Sequence, residues 1–162
     1  MNQSIASLVQ TLSDLLEKSS IKIALAESCT GGLLAAHLTA QAGSSLWFDR
    51  GFVTYSNASK TESIGVSPSI IEQYGAVSEE VAKAMAQGAL NHSAAKTSIA
   101  ITGIAGPGGS TKNKPVGMVC FAWAVQFPGS PALLIASTQI FDGDRQAIRE
   151  QACAYALNEL IQ

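Results

Sequence analysis

The feature that most constrains the fold of this chain is a short apolar run followed directly by a glycine-containing turn. Residues 21–26 (IKIALA) are few and mostly apolar, as in a strand buried within a sheet. The turn at residues 27–32 (ESCTGG) follows at once, and residues 33–38 (LLAAHL) have the composition of a helix that Gly43 stops. A buried strand that passes directly into a helix predicts an α/β protein with this turn at an edge of the sheet.

The periodicity of the remaining sequence extends this pattern. Apolar residues at helical spacing, Ser-Pro and Ser-Glu starts, and short apolar runs define the other elements. The predicted helices cover residues 4–18, the segment opened by Gly31 and Gly32, 67–75, 78–90 and 144–161, and the predicted strands cover 21–26, 51–56, 97–102, 116–125 and 133–141. Elements in this order predict an α/β fold, a single three-layer α/β/α domain with a mixed sheet over residues 1–162.

Charge and hydropathy limit the partners of the chain. Its 162 residues carry a net charge of −2 with ten scattered Lys and Arg residues, whereas general nucleic-acid binders present a basic face. No run of about 18 apolar residues is present, so we expect no membrane span. Only 14% of the residues are charged and 47% are hydrophobic, which favours a homo-oligomer, most simply a dimer, that covers part of the surface.

The cysteines and the N-terminus indicate a compartment. Cys29, Cys120 and Cys153 form no CxxC pair and are odd in number, so we expect neither a disulfide framework nor a metal site. The first residues, MNQS, lack the basic region and apolar core of a signal peptide. Both observations favour a reducing, cytoplasmic location.

Ser28 is the candidate nucleophile. A hydroxyl at a strand-to-helix junction lies near the unpaired N–H groups of the helix start, which stabilise an oxyanion. Gly31 and Gly32 let a substrate approach the backbone, Glu27 is placed to orient a polar group, and Thr30 is placed to cap the helix. The local sequence leaves a second interpretation open, in which Ser28 and Thr30 are ordinary helix-capping residues.

Cys29 is an alternative nucleophile, because a thiol is intrinsically more reactive than a hydroxyl. We rank it behind Ser28, since free cysteines in proteins are more often small buried hydrophobic residues.

A serine nucleophile needs a base, and the two histidines are poor candidates for that role. His37 lies among apolar residues of a predicted helix and His92 lies near the end of another, which disfavours a Ser-His-Asp triad. This leaves a lysine or a tyrosine as the base, as in serine–lysine hydrolases, and the segment from Tyr55 to Lys60 at the end of a predicted strand supplies both groups. Lysine acts as a base only where burial or a nearby cation lowers its pKa. From the residues alone, a solvated Lys60 and a core Tyr55 stay open as the alternative.

Residues 102–115 (TGIAGPGGSTKNKP) form an unusually long glycine-rich segment. Loops of this length in compact domains are either functional or disordered. Free backbone N–H groups of the glycines, together with Lys112 and Lys114, would suit a phosphate-bearing ligand. The segment is not a Walker A loop and lacks the GxGxxG fingerprint, so the alternative is a flexible surface loop.

Six segments, in order and spanning nearly the whole chain, resemble the C-terminal domain of the competence-damage-inducible CinA proteins. They are residues 26–32 (AESCTGG), 51–57 (GFVTYSN), 75–78 (GAVS), 102–107 (TGIAGP), 114–117 (KPVG) and 143–145 (GDR). The stand-alone members of that family are nicotinamide-nucleotide amidohydrolases. The resemblance therefore implies hydrolysis of the carboxamide of nicotinamide mononucleotide to nicotinic acid mononucleotide and ammonia, in pyridine nucleotide recycling, without a metal or other cofactor.

The resemblance also implies roles for residues. Ser28 would be the nucleophile, Lys60 its base and Tyr55 a proton relay or orienting group. The substrate-binding residues would be Glu27, Cys29, Thr30, Gly31, Gly32, Gly103, Gly106, Gly108 and Arg145, with N–H groups of residues 29–31 on the oxyanion and the glycine-rich loop or Arg145 on the 5′-phosphate. The alternative is a non-catalytic nucleotide-binding module of the same fold.

Overall fold

The structure is a computed structural model that describes residues 3–162. Its strands are β1 (Ile23–Glu27), β2 (Phe48–Val53), β3 (Thr97–Gly103), β4 (Met118–Val125) and β5 (Leu133–Ile140). They form a mixed sheet in the order β2-β1-β3-β4-β5, in which β1 runs parallel to β2 and β3, and β4 is antiparallel to both β3 and β5. The carboxyl ends of β1, β2 and β3 therefore meet at one edge, where α/β proteins commonly bind their ligands.

Helices cover both faces of this sheet. They are α1 (Ile5–Ser19), α2 (Leu33–Thr39), α3 (Asn57–Ile64), α4 (Pro68–Tyr74), α5 (Glu79–Asn91) and α6 (Arg145–Ile161), with a short 3₁₀ turn at Ser44–Leu46. One buried cluster joins α1, α2 and α6 to the sheet, and a second joins α3, α4 and α5 to the opposite face. This arrangement confirms the predicted three-layer α/β/α fold with a mixed sheet. Within residues 3–162, no helix combines the length and the hydropathy that crossing a membrane requires.

The two faces of the sheet differ in the size of their side chains. The face toward α1 and α6 carries large residues such as Ile101 and Phe121, whereas the face toward α5 carries alanines, including Ala100 and Ala122. Small side chains let a helix approach the sheet closely. Gly88 of α5 continues this close packing, because a Cβ there would lie 2.2 Å from the carbonyl oxygen of Ile64 at the end of α3. The packing of α3 on α5 thus depends on the absence of side-chain atoms.

The segment between β2 and α4 differs from the predicted pattern. The strand predicted for residues 51–56 is β2, which begins earlier and ends at Val53, and the sequence analysis missed helix α3. Ser56 ends the extended segment because its hydroxyl accepts a hydrogen bond from the Ser59 N–H and caps α3. Gly65 ends the helix with a φ of +71°. Both capping residues were visible, but α3 buries too few apolar side chains to show helical periodicity.

Candidate active site

Ser28 lies at the carboxyl edge of the parallel part of the sheet. It directly follows β1, and its N–H donates to the carbonyl oxygen of Ile101 on β3 at 2.9 Å. On the other side, the Thr54 N–H donates to the carbonyl oxygen of Glu27 at 2.8 Å. These bonds fix the start of the turn between β2 and β3, with Ser28 only 8% exposed.

Lys60 lies beside Ser28 although it comes from another element. It is 1% exposed, and α3 carries its Nζ to 3.1 Å from the Ser28 Oγ. The same Nζ lies 2.8 Å from the carbonyl oxygen of Thr54 and 3.3 Å from that of Tyr55. Burial lowers the pKa of the Lys60 ammonium from its ordinary value, since a buried cation loses its hydration. The sequence alone left open the alternative that Lys60 is a solvated surface lysine. The structure rules this alternative out, because the side chain is buried.

The contacts of Lys60 also orient its amine. A neutral amine has two N–H groups and one lone pair, and carbonyl oxygens accept hydrogen bonds but cannot donate them. Of the three neighbours of Nζ, two are carbonyl oxygens, of Thr54 and Tyr55, and one is the Ser28 hydroxyl. When both N–H groups are on the carbonyls, the lone pair is left for the hydroxyl proton. This is the arrangement that a general base requires.

A cleft of about 290 Å³ opens above this pair. Eight residues that the sequence analysis proposed for the site line it: Ser28, Cys29, Tyr55, Lys60, Gly103, Gly106, Gly108 and Arg145. Seven further lining residues were not named individually for the site: Asn57, Ala76, Val77, Thr102, Ile104, Ala105 and Gly109. Four of them, at positions 102, 104, 105 and 109, belong to the glycine-rich segment that was predicted as a whole to bind a phosphate. The cleft is thus formed by the end of β3 and the segments that follow β1, β2 and β3, together with the connection between α4 and α5 and the start of α6.

A signal for part of the missed wall was present in the sequence. Residues 75–78 carried one of the resembling motifs but had been given no role. The Thr102 hydroxyl donates to the carbonyl oxygen of Ala76 at 2.8 Å and holds this segment against the end of β3.

Arg145 and Tyr55 form a contact at the rim of the cleft. The Arg145 Nη2 donates to the Tyr55 hydroxyl at 3.0 Å, and its Nη1 donates to the carbonyl oxygen of Gly106 at 2.8 Å. Tyr55 is 59% exposed, and it is its carbonyl oxygen that accepts from Lys60. The core aromatic interpretation of Tyr55 is therefore wrong.

Glu27 was predicted to contact the substrate, but in the structure its side chain anchors the start of α2. Its carboxylate accepts hydrogen bonds from the N–H groups of Leu34 at 2.9 Å and Ala35 at 3.0 Å, in the first turn of α2. The side chain is 1% exposed and is absent from the lining of the cleft. Because the start of a helix has unpaired N–H groups and a positive dipole end, a buried carboxylate there stabilises the helix.

Thr30, Gly31 and Gly32 also lie outside the cleft lining. Thr30 does not cap α2: its Oγ1 is buried without a partner among the described residues, and Gly32 occupies the cap position. Gly31 and Gly32 have φ values of +57° and +97°, which only glycine adopts readily, so they serve the turn itself. The Gly31 N–H already donates to the carbonyl oxygen of Ser28 at 3.0 Å, which removes it from the predicted oxyanion donors.

Cys29 lines the cleft, but its thiol is poorly suited to be a nucleophile. Burial raises the pKa of the Cys29 thiol to about 12, and the carboxylate of Glu27 acts in the same direction. The reactive form of cysteine is the thiolate, which is scarce at neutral pH when the pKa is this high. The geometry therefore favours Ser28 over Cys29.

The glycine-rich segment contributes its first half to the cleft. In residues 105–110 no backbone N–H donates to a backbone carbonyl, which leaves these groups available to a ligand. The lysines in the second half differ from expectation. Lys112 and Lys114 are absent from the cleft lining, and the Lys114 Nζ donates to the carbonyl oxygen of Tyr74 at 2.8 Å.

The two histidines lie in other contacts. His37 pairs with Glu150 at 2.9 Å, and the His92 Nδ1 lies 2.8 Å from the carbonyl oxygen of Gly88. In the described part of the chain, no three His, Cys, Asp or Glu side chains group as metal ligands would.

Fold and site together define an α/β protein with a buried serine–lysine pair at the carboxyl edge of its sheet. The chain belongs to the CinA C-terminal domain family, whose profile matches residues 5–162.

Curated relatives agree with this membership. A nicotinamide-nucleotide amidohydrolase PncC from Enterobacter agglomerans is 50% identical over 139 residues, which cover 86% of this chain and 82% of that protein. The protein of the same name from Pseudomonas putida is 43% identical over 158 residues, covering 98% and 96% of the two chains. A CinA-like protein from Mycolicibacterium paratuberculosis is 53% identical over 139 residues, but the match spans only 32% of its length.

The fold also matches solved structures. A competence or damage-inducible protein from Enterobacter asburiae superimposes with a TM-score of 0.91 at 35% sequence identity, covering 99% of this chain and 98% of the other. The corresponding protein from Agrobacterium tumefaciens gives a TM-score of 0.89 at 40% identity.

Proposed function

We propose that this chain hydrolyses the carboxamide of nicotinamide mononucleotide to nicotinic acid mononucleotide and ammonia, with Ser28 as nucleophile and Lys60 as base. The observation that carries the mechanism is the distance of 3.1 Å between the Lys60 Nζ and the Ser28 Oγ, with both side chains buried. The names of the relatives from Enterobacter agglomerans and Pseudomonas putida support the substrate class. The reaction belongs to the recycling of pyridine nucleotides.

The first half of the reaction forms an acyl-enzyme. The Ser28 Oγ bonds to the carboxamide carbon while its proton passes to the Lys60 Nζ, 3.1 Å away. The carbonyl π electrons move onto oxygen and give a tetrahedral oxyanion. Lys60 then returns the proton to the carboxamide nitrogen, the C–N bond breaks, and ammonia leaves.

The second half releases the product. Water attacks the acyl carbon, Lys60 takes a proton from that water, and the second tetrahedral intermediate collapses. The bond from the carbon to the Ser28 Oγ breaks, and the proton on Lys60 returns to the serine oxygen. The product leaves as a carboxylic acid, which becomes the carboxylate by giving its proton to solvent or to the released ammonia, and Ser28 and Lys60 are restored for another cycle.

The Cys29 N–H is the donor that we assign to the oxyanion. It belongs to the residue that immediately follows the nucleophile and lines the cleft, and it donates to no backbone carbonyl in the described part of the chain. Backbone N–H groups fixed beside a nucleophile stabilise the developing negative charge without reorganisation.

The remaining cleft residues would hold the nucleotide. We assign the backbone of Gly103, Gly106 and Gly108 and the guanidinium of Arg145 to the substrate. Arg145 uses only two of its five N–H donors on Tyr55 and Gly106, so others are free for a phosphate. Tyr55 acts as an orienting group through this bond to Arg145.

Ammonia release from nicotinamide mononucleotide tests the proposal. We expect release by the wild-type protein and a loss of about 10³-fold or more in Ser28→Ala. Ser98→Ala is the matched control, because Ser98 is also a buried serine, but its hydroxyl donates to the carbonyl oxygen of Ala86 near the other end of β3. If folded wild-type protein binds the nucleotide tightly and releases no ammonia, the chain is instead a non-catalytic nucleotide-binding module.

We also propose that the chain forms a single domain and assembles as a homodimer through β5. This strand lies at the end of the sheet order and exposes Leu133, Ile135 and Ile140, each more than half accessible. An uncovered apolar edge strand is suited to pair with another strand. Light scattering is expected to give twice the chain mass, and Ile135→Lys is expected to give the monomer. A wild-type monomer would contradict the proposal.

The location that we propose is the cytoplasm. Cys29, Cys120 and Cys153 are all free and buried, which agrees with a reducing compartment. Cell fractionation tests this location.

A further inference from the structure

Arg149 of α6 contacts the turn that carries the nucleophile, although nothing in the sequence pointed to it. Its Nη2 donates to the carbonyl oxygen of Thr30 at 2.8 Å. Its Nη1 donates to the Gln146 side chain at 3.1 Å, and its buried Nε finds no partner among the described residues. The guanidinium is thus directed at one backbone carbonyl of the turn rather than paired with a carboxylate.

This contact is connected to the candidate oxyanion donor through two peptide groups. The Thr30 carbonyl belongs to the same peptide group as the Gly31 N–H, which donates to the Ser28 carbonyl oxygen at 3.0 Å. The Ser28 carbonyl belongs to the same peptide group as the Cys29 N–H. Two consecutive hydrogen bonds therefore link the Arg149 cation to the Cys29 N–H.

Such a chain transmits polarisation. A peptide group is conjugated, so a cation on its carbonyl oxygen draws electron density from the nitrogen and makes the N–H a stronger donor. A strengthened N–H then polarises the next carbonyl, and hydrogen bonds in series reinforce one another. No backbone carbonyl of the described residues accepts from the Cys29 N–H at the end of the chain, and its own thiol beside it is only a weak acceptor.

We propose that Arg149 is a positioning residue that holds and polarises the peptide groups of residues 28–31, and thereby strengthens the Cys29 N–H as oxyanion donor. This inference rests on the proposed function. Arg149 touches no reacting atom and acts only through the backbone of the turn.

The charges around the turn provide a second argument for this role of Arg149. The buried carboxylate of Glu27, which anchors α2, also disfavours an anion at Cys29 and raises the pKa of that thiol. Arg149 acts in the opposite direction on the same pKa. At the Cys29 thiol, which neighbours the nucleophile, the Arg149 cation and Arg145 thus act against the negative charge of Glu27 that the fold requires nearby.

Kinetics of three variants test the inference. In Arg149→Met we expect kcat for ammonia release to fall about tenfold with KM little changed, because the donor remains but is weakened. Arg149→Lys keeps a cation with N–H donors, and we expect it to recover most of the lost kcat. Arg50→Met is the matched control, because Arg50 also donates to a backbone carbonyl, that of His92, outside the cleft. A purely structural Arg149 would instead lower thermal stability in both Arg149 variants and leave kcat per folded molecule unchanged.

The amide proton of Cys29 gives a readout that does not depend on activity. In Arg149→Met its NMR resonance is expected to move upfield, and in Arg149→Lys to return toward the wild-type position, with no change in Arg50→Met. An unchanged Cys29 resonance in Arg149→Met overturns the inference, whatever happens to kcat. A wild-type protein without deamidase activity refutes the proposed function, while the resonance still decides whether Arg149 polarises the turn.

Discussion

Two buried ionisable side chains, Glu27 and Lys60, flank the turn after β1 and differ in the hydrogen-bonding groups that surround them. Each is 1% exposed. Glu27 accepts hydrogen bonds from two N–H groups of α2, both of which can only donate. Lys60 meets two carbonyl oxygens and one hydroxyl, and only the hydroxyl has a proton to give. The N–H donors around Glu27 suit a carboxylate that accepts hydrogen bonds. The carbonyl and hydroxyl groups around Lys60 suit a neutral amine that acts as a base.

The comparison shows how fold and chemistry are divided within one turn. Glu27, Thr30, Gly31 and Gly32 form the structural part, which joins β1 to α2 and lies outside the cleft lining. Ser28 and Cys29 form the chemical part, which lies in that lining. Neighbouring residues thus have different tasks because a strand-to-helix turn directs successive side chains to different sides. Substitutions in the structural part should therefore lower stability, and substitutions in the chemical part should lower activity.

Removing the amine of Lys60 is expected to abolish most activity without harming the fold. In Lys60→Met we expect kcat to fall by about 10³-fold or more, because the Ser28 proton has no acceptor. Lys60→Arg is expected to be similarly inactive, since a guanidinium stays protonated. Thermal unfolding should show a cooperatively folded Lys60→Met protein of near wild-type stability, because the apolar chain is buried without penalty while the carbonyl oxygens of Thr54 and Tyr55 lose a donor.

Lys22→Met is the control for this variant, because the Lys22 Nζ also donates to a backbone carbonyl, that of Ser45. If Lys60→Met were active, Lys60 would not be the base, and Lys60 and Glu27 would not differ in function as described above.

Glu27→Gln is expected to show the opposite pattern. The amide keeps one acceptor oxygen but places an NH₂ group against the second N–H of α2, which leaves that buried donor unpaired. We expect the free energy of unfolding to fall by about 1–3 kcal/mol, while activity per folded molecule stays within about threefold. Denaturant unfolding measures the first quantity. Glu17→Gln, an exposed change on α1, is the control. Unchanged stability would show that the carboxylate does not anchor α2.

The pH dependence of activity reports on Lys60. Only the neutral amine accepts a proton, so kcat should rise about tenfold per pH unit below the pKa of Lys60 and then level off. Burial lowers that pKa, so the midpoint should lie below the ordinary value of 10.5. Between these two pKa values the unfolded chain binds more protons than the folded one, so this lysine makes stability increase with pH across the same window. A midpoint at or above 10.5 would contradict the buried position of Lys60.

Much of this arrangement was accessible from the sequence, for identifiable reasons. Apolar patterns located β1, α1 and α6, the capping Ser78 with its two following glutamates located α5, and the junction at residues 27–32 marked the turn. The pairing of Ser28 with Lys60 was suggested by the family resemblance and by the poor placement of the two histidines as candidate bases. The distance between the Lys60 Nζ and the Ser28 Oγ could not be predicted from the sequence. That distance depends on α3, whose position is set by the close approach of Gly88 to Ile64. Arg149 was not predicted because its partner is the backbone carbonyl of Thr30. Every residue has such a carbonyl, so the residue types in the sequence do not indicate the contact.

The smallest effect is expected at Cys29, and it tests how far the chemical part of the turn extends. The thiol is 6% exposed, and burial raises its pKa to about 12, so we assign chemistry to its N–H and none to its sulfur. Cys29→Ala keeps the N–H, and we expect kcat within about threefold of the wild type and an unchanged pH midpoint. Ammonia release by Cys29→Ala and Ser28→Ala, measured side by side, checks this. Loss of activity in Cys29→Ala with mere reduction in Ser28→Ala would make the thiol the nucleophile, and the Lys60 amine would then have the wrong partner.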